Sequence, residues 1–343
     1  MKKAAIAIGS LILLISLCAS ALIGYTVLTR KKPAVTDRTN HNINVMLTRS
    51  DNWERIIDTP VIDVYDMCII DGSTATIPIT AEIYRQFWSF SDDQVNESDY
   101  VYHSTTHNAY SNLIDKRDGV LALWGVDDQP PISLIFVTPP SQEELDMAKT
   151  GDVTLDIEQI AKDGFVFIVN KDNPIDEITI EQIQDIYSGK ITNWKEIGGK
   201  NQKIKAYQRE ENSGSQTAME QMVMQDKQMQ KPIETYIERS MSGLIEVVAA
   251  EYDNGNGSIG YTYNYYVNNL YKNDNIKVLK VNGVSPDDQN LISGDYPFTT
   301  GYFAVMRDDE AEDSPARKLR DFLLTEQGQQ LIEMAGYCRG VTP

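Results

Sequence analysis

Hydrophobic and polar positions alternate along this chain in a way that changes period several times. The longest uncharged stretch, residues 4–28, lies between Lys2-Lys3 and Arg30-Lys31-Lys32. As a helix it would run roughly 37 Å, enough to cross a hydrocarbon core of about 30 Å. Signal-peptide apolar cores are shorter, about 7–15 residues. Residues 1–32 therefore read as a membrane anchor, with a cleaved signal as the alternative. Cys18 follows Ile15-Ser16-Leu17. A lipoprotein processing site wants a small residue where Leu17 stands, so a cysteine packed in an apolar helix is preferred to lipidation. Every version puts the rest of the chain outside the cytoplasm. Residues 33–57 are polar and without apolar period, and read as a linker or arm.

Beyond the arm, short apolar runs alternate with segments of helical period. Val61-Ile62-Asp63-Val64-Tyr65 and Met67-Cys68-Ile69-Ile70 are β-like and end at Asp71-Gly72-Ser73-Thr74. Ile77, Ile79, Ile83, Tyr84 and Phe87 then recur at helical spacing, with Pro78 tolerated in a first turn. Tyr100-Val101-Tyr102 reads as a short strand, Ser104-Thr105-Thr106 as a cap, and Ala109, Leu113 and Ile114 as a helix face. The continuous apolar runs 132–137 and 165–169 are what strands buried on both faces look like. Thr179 with Gln182 forms a capping box ahead of Ile180, Ile183, Ile186 and Tyr187. Further strands are predicted at 204–207, 258–261 and 302–306. Helices are predicted from Ala218, at 244–250, from Ser314-Pro315 to Leu323, and at 326–335. This alternation predicts an α/β architecture with largely parallel sheets, whose ligands sit at the carboxyl ends of strands.

Three strand-to-helix turns share one chemistry: Asp71-Gly72-Ser73-Thr74-Ala75, Ser104-Thr105-Thr106 and Ser213-Gly214-Ser215. Each puts hydroxyls and free N–H groups at a helix start, where anions are favoured. Arg209 lies four residues before Ser213, and its planar fork suits a tetrahedral or carboxylate oxyanion. Ser and Thr also cap ordinary helices, and a single arginine is more often a surface residue. The combination is what carries weight.

The formal net charge is −19, and the residues before Pro33 contribute only positive charge to it. So acidic a body argues against nucleic acid or an anionic membrane surface as partner. It does not argue against a small anion, because distant charges are screened beyond about 8 Å. His103 and His107 lack a third ligand, so no metal is expected, and no cofactor motif is present. No nucleophile elbow, Walker A loop or metalloprotease helix is found, so no catalytic residue is proposed and the chain is not expected to be an enzyme. Cys68 and Cys338 permit one disulfide, but sequence alone does not bring them together. Trp53, Trp88, Trp124 and Trp194 read as packing residues. The tyrosines of 261–271 suggest a lobe face or contacts between lobes.

The stretch from Asn173-Pro174 through Ile178-Thr179-Ile180-Glu181-Gln182-Ile183 and Ile186-Tyr187-Ser188-Gly189-Lys190-Ile191-Thr192-Asn193-Trp194 resembles the phosphate-binding proteins of bacterial ABC transporters. Arg209, Glu210-Glu211 and Ser213-Gly214-Ser215 resemble the same family, as do Asp71-Gly72-Ser73-Thr74, Ser258-Ile259-Gly260-Tyr261 and Ala335-Gly336-Tyr337. The likeness runs from about Asp63 to Tyr337. It implies a two-lobed type II periplasmic-binding-protein-like fold with the ligand cleft between the lobes, lobe I being 58–168 with 263–343 and lobe II 169–262. It implies a monomer that binds phosphate or a similar oxyanion and delivers it to a transporter permease. Ser73, Thr74, Ala75, Ser104 and Thr106 are the ligand donors implied on one lobe, and Arg209, Ser213, Gly214 and Ser215 on the other. One departure stands out. Many binders of this family use an aspartate after the second helix to accept the proton of hydrogen phosphate. Here Ser133 occupies the position beside the third strand, and the nearby acids, Asp127 and Asp128, lie in an inserted loop, 115–131. A ligand-sensing or interaction protein that kept the fold but lost tight phosphate binding is the alternative.

Overall fold

The computed structural model describes residues 47–341 except 48, 59–60, 63–67, 98–100, 102, 117–130, 233–235, 239 and 251–255. The expected anchor, Cys18, Trp124, Asp127 and Asp128 lie outside these. No helix of the described residues is long and apolar enough to cross a membrane.

The strands are β1 (Ile70–Gly72), β2 (Leu134–Val137), β3 (Leu155–Asn170), β4 (Glu177–Ile178), β5 (Lys203–Ala206) and β6 (Gln208–Arg209). They continue with β7 (Ile237–Glu238), β8 (Asn256–Tyr263), β9 (Ile276–Val278), β10 (Lys280–Val281), β11 (Thr299–Arg307) and β12 (Cys338–Arg339). The helices are α1 (Ile77–Trp88), α2 (Asp92–Glu97), α3 (Thr106–Ile114), α4 (Gln142–Thr150), α5 (Ile180–Tyr187) and α6 (Gly214–Ala218). After them come α7 (Met241–Ala250), α8 (Asp288–Ser293), α9 (Pro315–Leu323) and α10 (Glu326–Met334).

One sheet runs β1-β2-β11-β3-β8-β5, with β12 and β9 also joining β3. β1 is parallel to β2, and β5 to β8, whereas β11 is antiparallel to both β2 and β3. β3 is the shared spine. From Leu155 to Gly164 it pairs with β11, and from Phe165 to Val169 it pairs with β8. The change of partner falls between Gly164 and Phe165. The second half of β3 is apolar on both faces, and Phe165, Val166, Phe167, Ile168 and Val169 are all buried. The first half interleaves Asp156, Glu158 and Lys162 with apolar residues, which is why only 165–169 is legible as a strand.

α1 follows a 3-10 turn capped by Ser73 and ends at Ser89 in the left-handed region, φ 60°. It buries polar residues as well as apolar ones, because the chain before it lies across its outer face. Trp53 Nε1 donates to Glu82 Oε1 at 2.7 Å, Ile56 N to Gln86 Oε1 at 2.9 Å, and Gln86 Nε2 to Glu54 O at 3.0 Å. The Arg85 guanidinium donates to Leu47 O and pairs with Asp92 at 3.0 Å. The part of the expected linker that is described is thus a packed arm.

One further expectation changes, and one question left open by the sequence is answered. Val101 stands in a 3-10 turn rather than a strand. Cys68 and Cys338 are free thiols, so they form no disulfide with each other.

Candidate functional site

The first turn leaves β1 at its carboxyl end and is anchored by Asp71. Asp71 Oδ1 accepts the N–H groups of Gly72 at 2.7 Å and Ser104 at 2.6 Å. Oδ2 accepts the Ser104 hydroxyl at 2.6 Å and Asn112 Nδ2 at 3.0 Å. One buried carboxylate therefore binds the first turn to the second. Gly72 is required here, since a Cβ would fall 2.2 Å from Phe136 O. Ser73 N donates to that same carbonyl at 2.8 Å, and Ser73 Oγ caps Ala75 N at 3.3 Å. His103 braces the turn from behind: Nδ1 lies 2.7 Å from Ser73 O, and Nε2 lies 2.9 Å from Thr80 Oγ1. His107 faces Glu144 instead, at 3.1 Å, so the two histidines do not address one point. Burial pushes the Glu144 carboxyl up, against the hydrogen bonds from Ser141 and His107. Between Ser104 and Thr106, Thr105 has φ 82°. A β-branched residue in that region is strained, a condition that concentrates at ligand sites.

The opposing wall is built from β6 and α6. Ser213 caps α6 by accepting from Gln216 N at 3.2 Å. Arg209 N donates to Tyr261 Oη at 3.0 Å and to Gln216 Oε1 at 3.2 Å, while Arg209 Nε donates to Glu238 O at 2.8 Å. Burial pulls the guanidinium pKa down, and Tyr261, Glu210, Tyr266 and Glu238 nearby pull it back up. A buried cation on a wall of donors is what an anion site requires. Tyr263 Oη donates to Gly214 O at 3.1 Å, which fixes the start of α6.

The two walls meet at Gly214. A Cβ there would lie 2.3 Å from Thr138 Oγ1 and 2.9 Å from Thr106 Oγ1. The start of α6, the first residue of α3 and the residue just past β2 thus share one point. The rim is bridged twice more. Asn212 donates to the Glu143 carboxylate, and Gln221 Nε2 to Pro140 O at 3.3 Å.

Of the expected residues, Asp71 joins Ser73 to Ser104, and Gly214 meets Thr106. Thr74 opens the 3-10 turn, and the Ala75 carbonyl accepts the Tyr337 hydroxyl. Arg209, Ser213 and Ser215 stand on the opposite wall, and the Arg209 contacts named above are to that wall. Thr138 was missed. Its buried hydroxyl sits beside the Tyr263 hydroxyl without a well-aligned hydrogen bond. The signal was available: Thr138-Pro139-Pro140 closes a buried strand at its carboxyl end. Ser133, expected beside the third strand, lies before the amino end of β2 and hydrogen-bonds the Cys68 thiol, away from these turns. Among the described residues no cluster of His, Cys, Asp and Glu could hold a metal ion.

Residues 127–325 match the sequence family described as the PBP superfamily domain. The phosphate-binding protein PstS of Bacillus subtilis (strain 168) is 28% identical over 174 residues, 51% of this chain and 54% of that protein. The chain thus spans about half the length of that curated relative. PstS of Borreliella burgdorferi is 27% identical over 274 residues, 78% of this chain and 88% of the relative. Among solved structures, a putative phosphate ABC transporter substrate-binding protein with bound phosphate from Clostridium perfringens superposes with a TM-score of 0.57. It is 25% identical and covers 80% of this chain and 98% of its own. An ABC-type phosphate transport receptor from Vibrio cholerae superposes with a TM-score of 0.54 over 81% of this chain and, at 24% identity, speaks to the fold alone.

Proposed function

The chain belongs to the PBP superfamily, and from that premise we propose that it is an extracytoplasmic solute-binding protein that captures phosphate or a similar small oxyanion for an ABC transporter. The carrying observation is the meeting of Gly214 with Thr106 and Thr138 across two walls rich in hydroxyls and helix-start N–H groups. Similarity to phosphate-binding proteins of two bacteria, and to a phosphate-bound structure of a third, agrees with it.

In this reading the fold is of type II, and the lobe carrying Arg209 takes in β9 as well, because β9 pairs with the second half of β3. Ser73, Thr74, Ala75 and Thr106 donate from one lobe, while Ser104, expected as a donor, gives both its N–H and its hydroxyl to Asp71 and holds the second turn in place instead. Arg209, Ser213, Gly214 and Ser215 donate from the other, and Thr138 joins them. Residues 4–28 tether a monomeric receptor to the membrane beside its permease. Charge-assisted hydrogen bonds are worth about 1.5–3 kcal/mol each, so five or six such contacts reach micromolar to nanomolar affinity after association costs.

Isothermal titration of the full-length chain with inorganic phosphate, sulfate and small carboxylates tests this. Saturable phosphate binding is expected. Arg209→Ala should weaken it roughly 100-fold through loss of one or two charge-assisted bonds. Gly214→Ala should weaken it at least as much, because its Cβ meets Thr138 Oγ1. Silence with every anion would leave the sensing or interaction role instead.

A further inference from the structure

Asp163 is a fully buried carboxyl at the position where β3 changes partner, and none of the ligand turns contains it. Oδ1 accepts Gly164 N at 2.7 Å and Tyr265 N at 3.1 Å, and Oδ2 accepts the Tyr302 hydroxyl at 2.9 Å. These donors come from β3 itself, from the chain leaving β8, and from β11. They are the segments whose pairing switches from one half of the sheet to the other.

Two aromatic routes lead from this carboxyl to the cleft. Tyr265 stacks on Tyr337 with ring centroids 3.9 Å apart, and the Tyr337 hydroxyl donates to Ala75 O in the first ligand turn. Tyr302 packs on Tyr263 at 5.6 Å, and the Tyr263 hydroxyl holds Gly214 O in the opposite turn. A shift of Asp163 against its donors is thereby felt at both walls.

We propose that Asp163 is a positioning residue of the anion cleft, which registers the two ligand-bearing turns against each other and couples closure of the cleft to uptake of a proton. The inference rests on the oxyanion-binding reading above. The surroundings set its direction. Tyr263, Tyr265, Tyr296, Tyr302, Tyr337 and the Cys338 thiol face the carboxyl, and Asp288 of α8 adds a like charge. Lys162, the neighbour along the strand, is engaged with Ile292 O at 3.1 Å. Burial is the largest influence and outweighs the three donors, so the carboxyl is pushed up to about 7. Opening about this point separates the Tyr265 and Tyr302 segments and admits water, which favours the ionised form. Closing buries it again, and an anion in the cleft adds a second like charge. Both favour the protonated carboxyl in the closed, occupied state.

Asparagine reproduces that state: its oxygen accepts from Gly164 and Tyr265, and its amide donates to the Tyr302 oxygen. The experiment is titration of the full-length chain with inorganic phosphate between about pH 5.5 and 8.5, in two buffers of different ionisation heat. The second ionisation of phosphate contributes equally to every variant. Asp163→Asn should bind as tightly as wild type near pH 6 and roughly threefold more tightly near pH 8, and should take up fewer protons on binding. Superposable pH curves, or weaker binding by Asp163→Asn at every pH, would overturn the proposal, the second pointing to a merely structural role. Should that variant fail to fold, Tyr302→Phe removes a donor that favours ionisation. It should move the break in the curve to higher pH, and an unmoved break overturns the proposal. Absence of phosphate binding by wild type at all pH values sinks the oxyanion reading and this inference with it.

Discussion

The fate of single side chains depends on what their neighbours do to charge. Asp71 and Asp163 are both buried carboxylates, and both precede a glycine. Asp71 is met by two N–H groups, a hydroxyl and an amide, and serves as a strut between turns. Asp163 is met by fewer donors and a like charge, and burial moves its pKa from 3.8 to about 7. The folded state therefore binds this proton more tightly than the unfolded chain. The stabilisation is whole below about pH 4 and is lost as pH rises through about 7. Urea unfolding should show wild type losing roughly 2–3 kcal/mol between about pH 5 and 8 relative to Asp163→Asn. A constant difference between the two across that range would contradict the assignment. Sequence displays Asp163 as one acid ahead of an apolar run, and nothing in its spacing reveals Tyr265 or Tyr302, which are more than 100 residues away. The turns holding Ser73, Ser104 and Gly214 were legible for the opposite reason: each opens a helical turn whose capping chemistry is written in adjacent residues.

Elements were readable where period and caps are local. The Thr179/Gln182 capping box forms as expected, as do α1, α9 and the strands at 134–137 and 165–169. Residues 33–57 were readable only as a linker or arm, without the choice between them. The described residues of 49–55 are mostly polar and satisfy polar groups on α1, and a polar segment docked on a polar helix face has the composition of a linker. Glu82 is 2% exposed and receives both Trp53 Nε1 and Gln86 Nε2. Glu82→Ala leaves those donors and the Arg85 guanidinium poorly matched, and should cost roughly 2–4 kcal/mol in urea unfolding. Arg55→Ala, which removes an exposed contact to Ser89 and a part-buried one to Ile57 O, should cost no more than about 1 kcal/mol. If the two substitutions cost the same, the arm is not part of the cooperative unit.

At the scale of the whole molecule, one long strand carries two sheet halves, and the fold brings together groups that are distant in sequence. The rim shows this best. Asn212 reaches Glu143 across 69 residues, and Gln221 reaches Pro140 across 81. Neither pair belongs to a motif, so no sequence pattern announces them, although the serine-bearing turns they flank are visible in the sequence. Their exposure separates two effects that are usually entangled. Glu143 and Gln221 are solvent-exposed, so truncating them leaves the buried core of either half intact and should shift the urea midpoint little. If the proposed receptor opens and closes, the bonds exist only while the walls are together, and their loss falls on the closed state alone. With each bond worth about 0.5–1.5 kcal/mol, Glu143→Ala with Gln221→Ala should speed release of bound phosphate roughly tenfold while association stays near wild type. Stopped-flow displacement with excess unlabelled ligand reads both rates. An unchanged release rate would mean that the rim contacts are incidental to the closed state, and that the meeting of Gly214 with Thr106 and Thr138 holds it unaided.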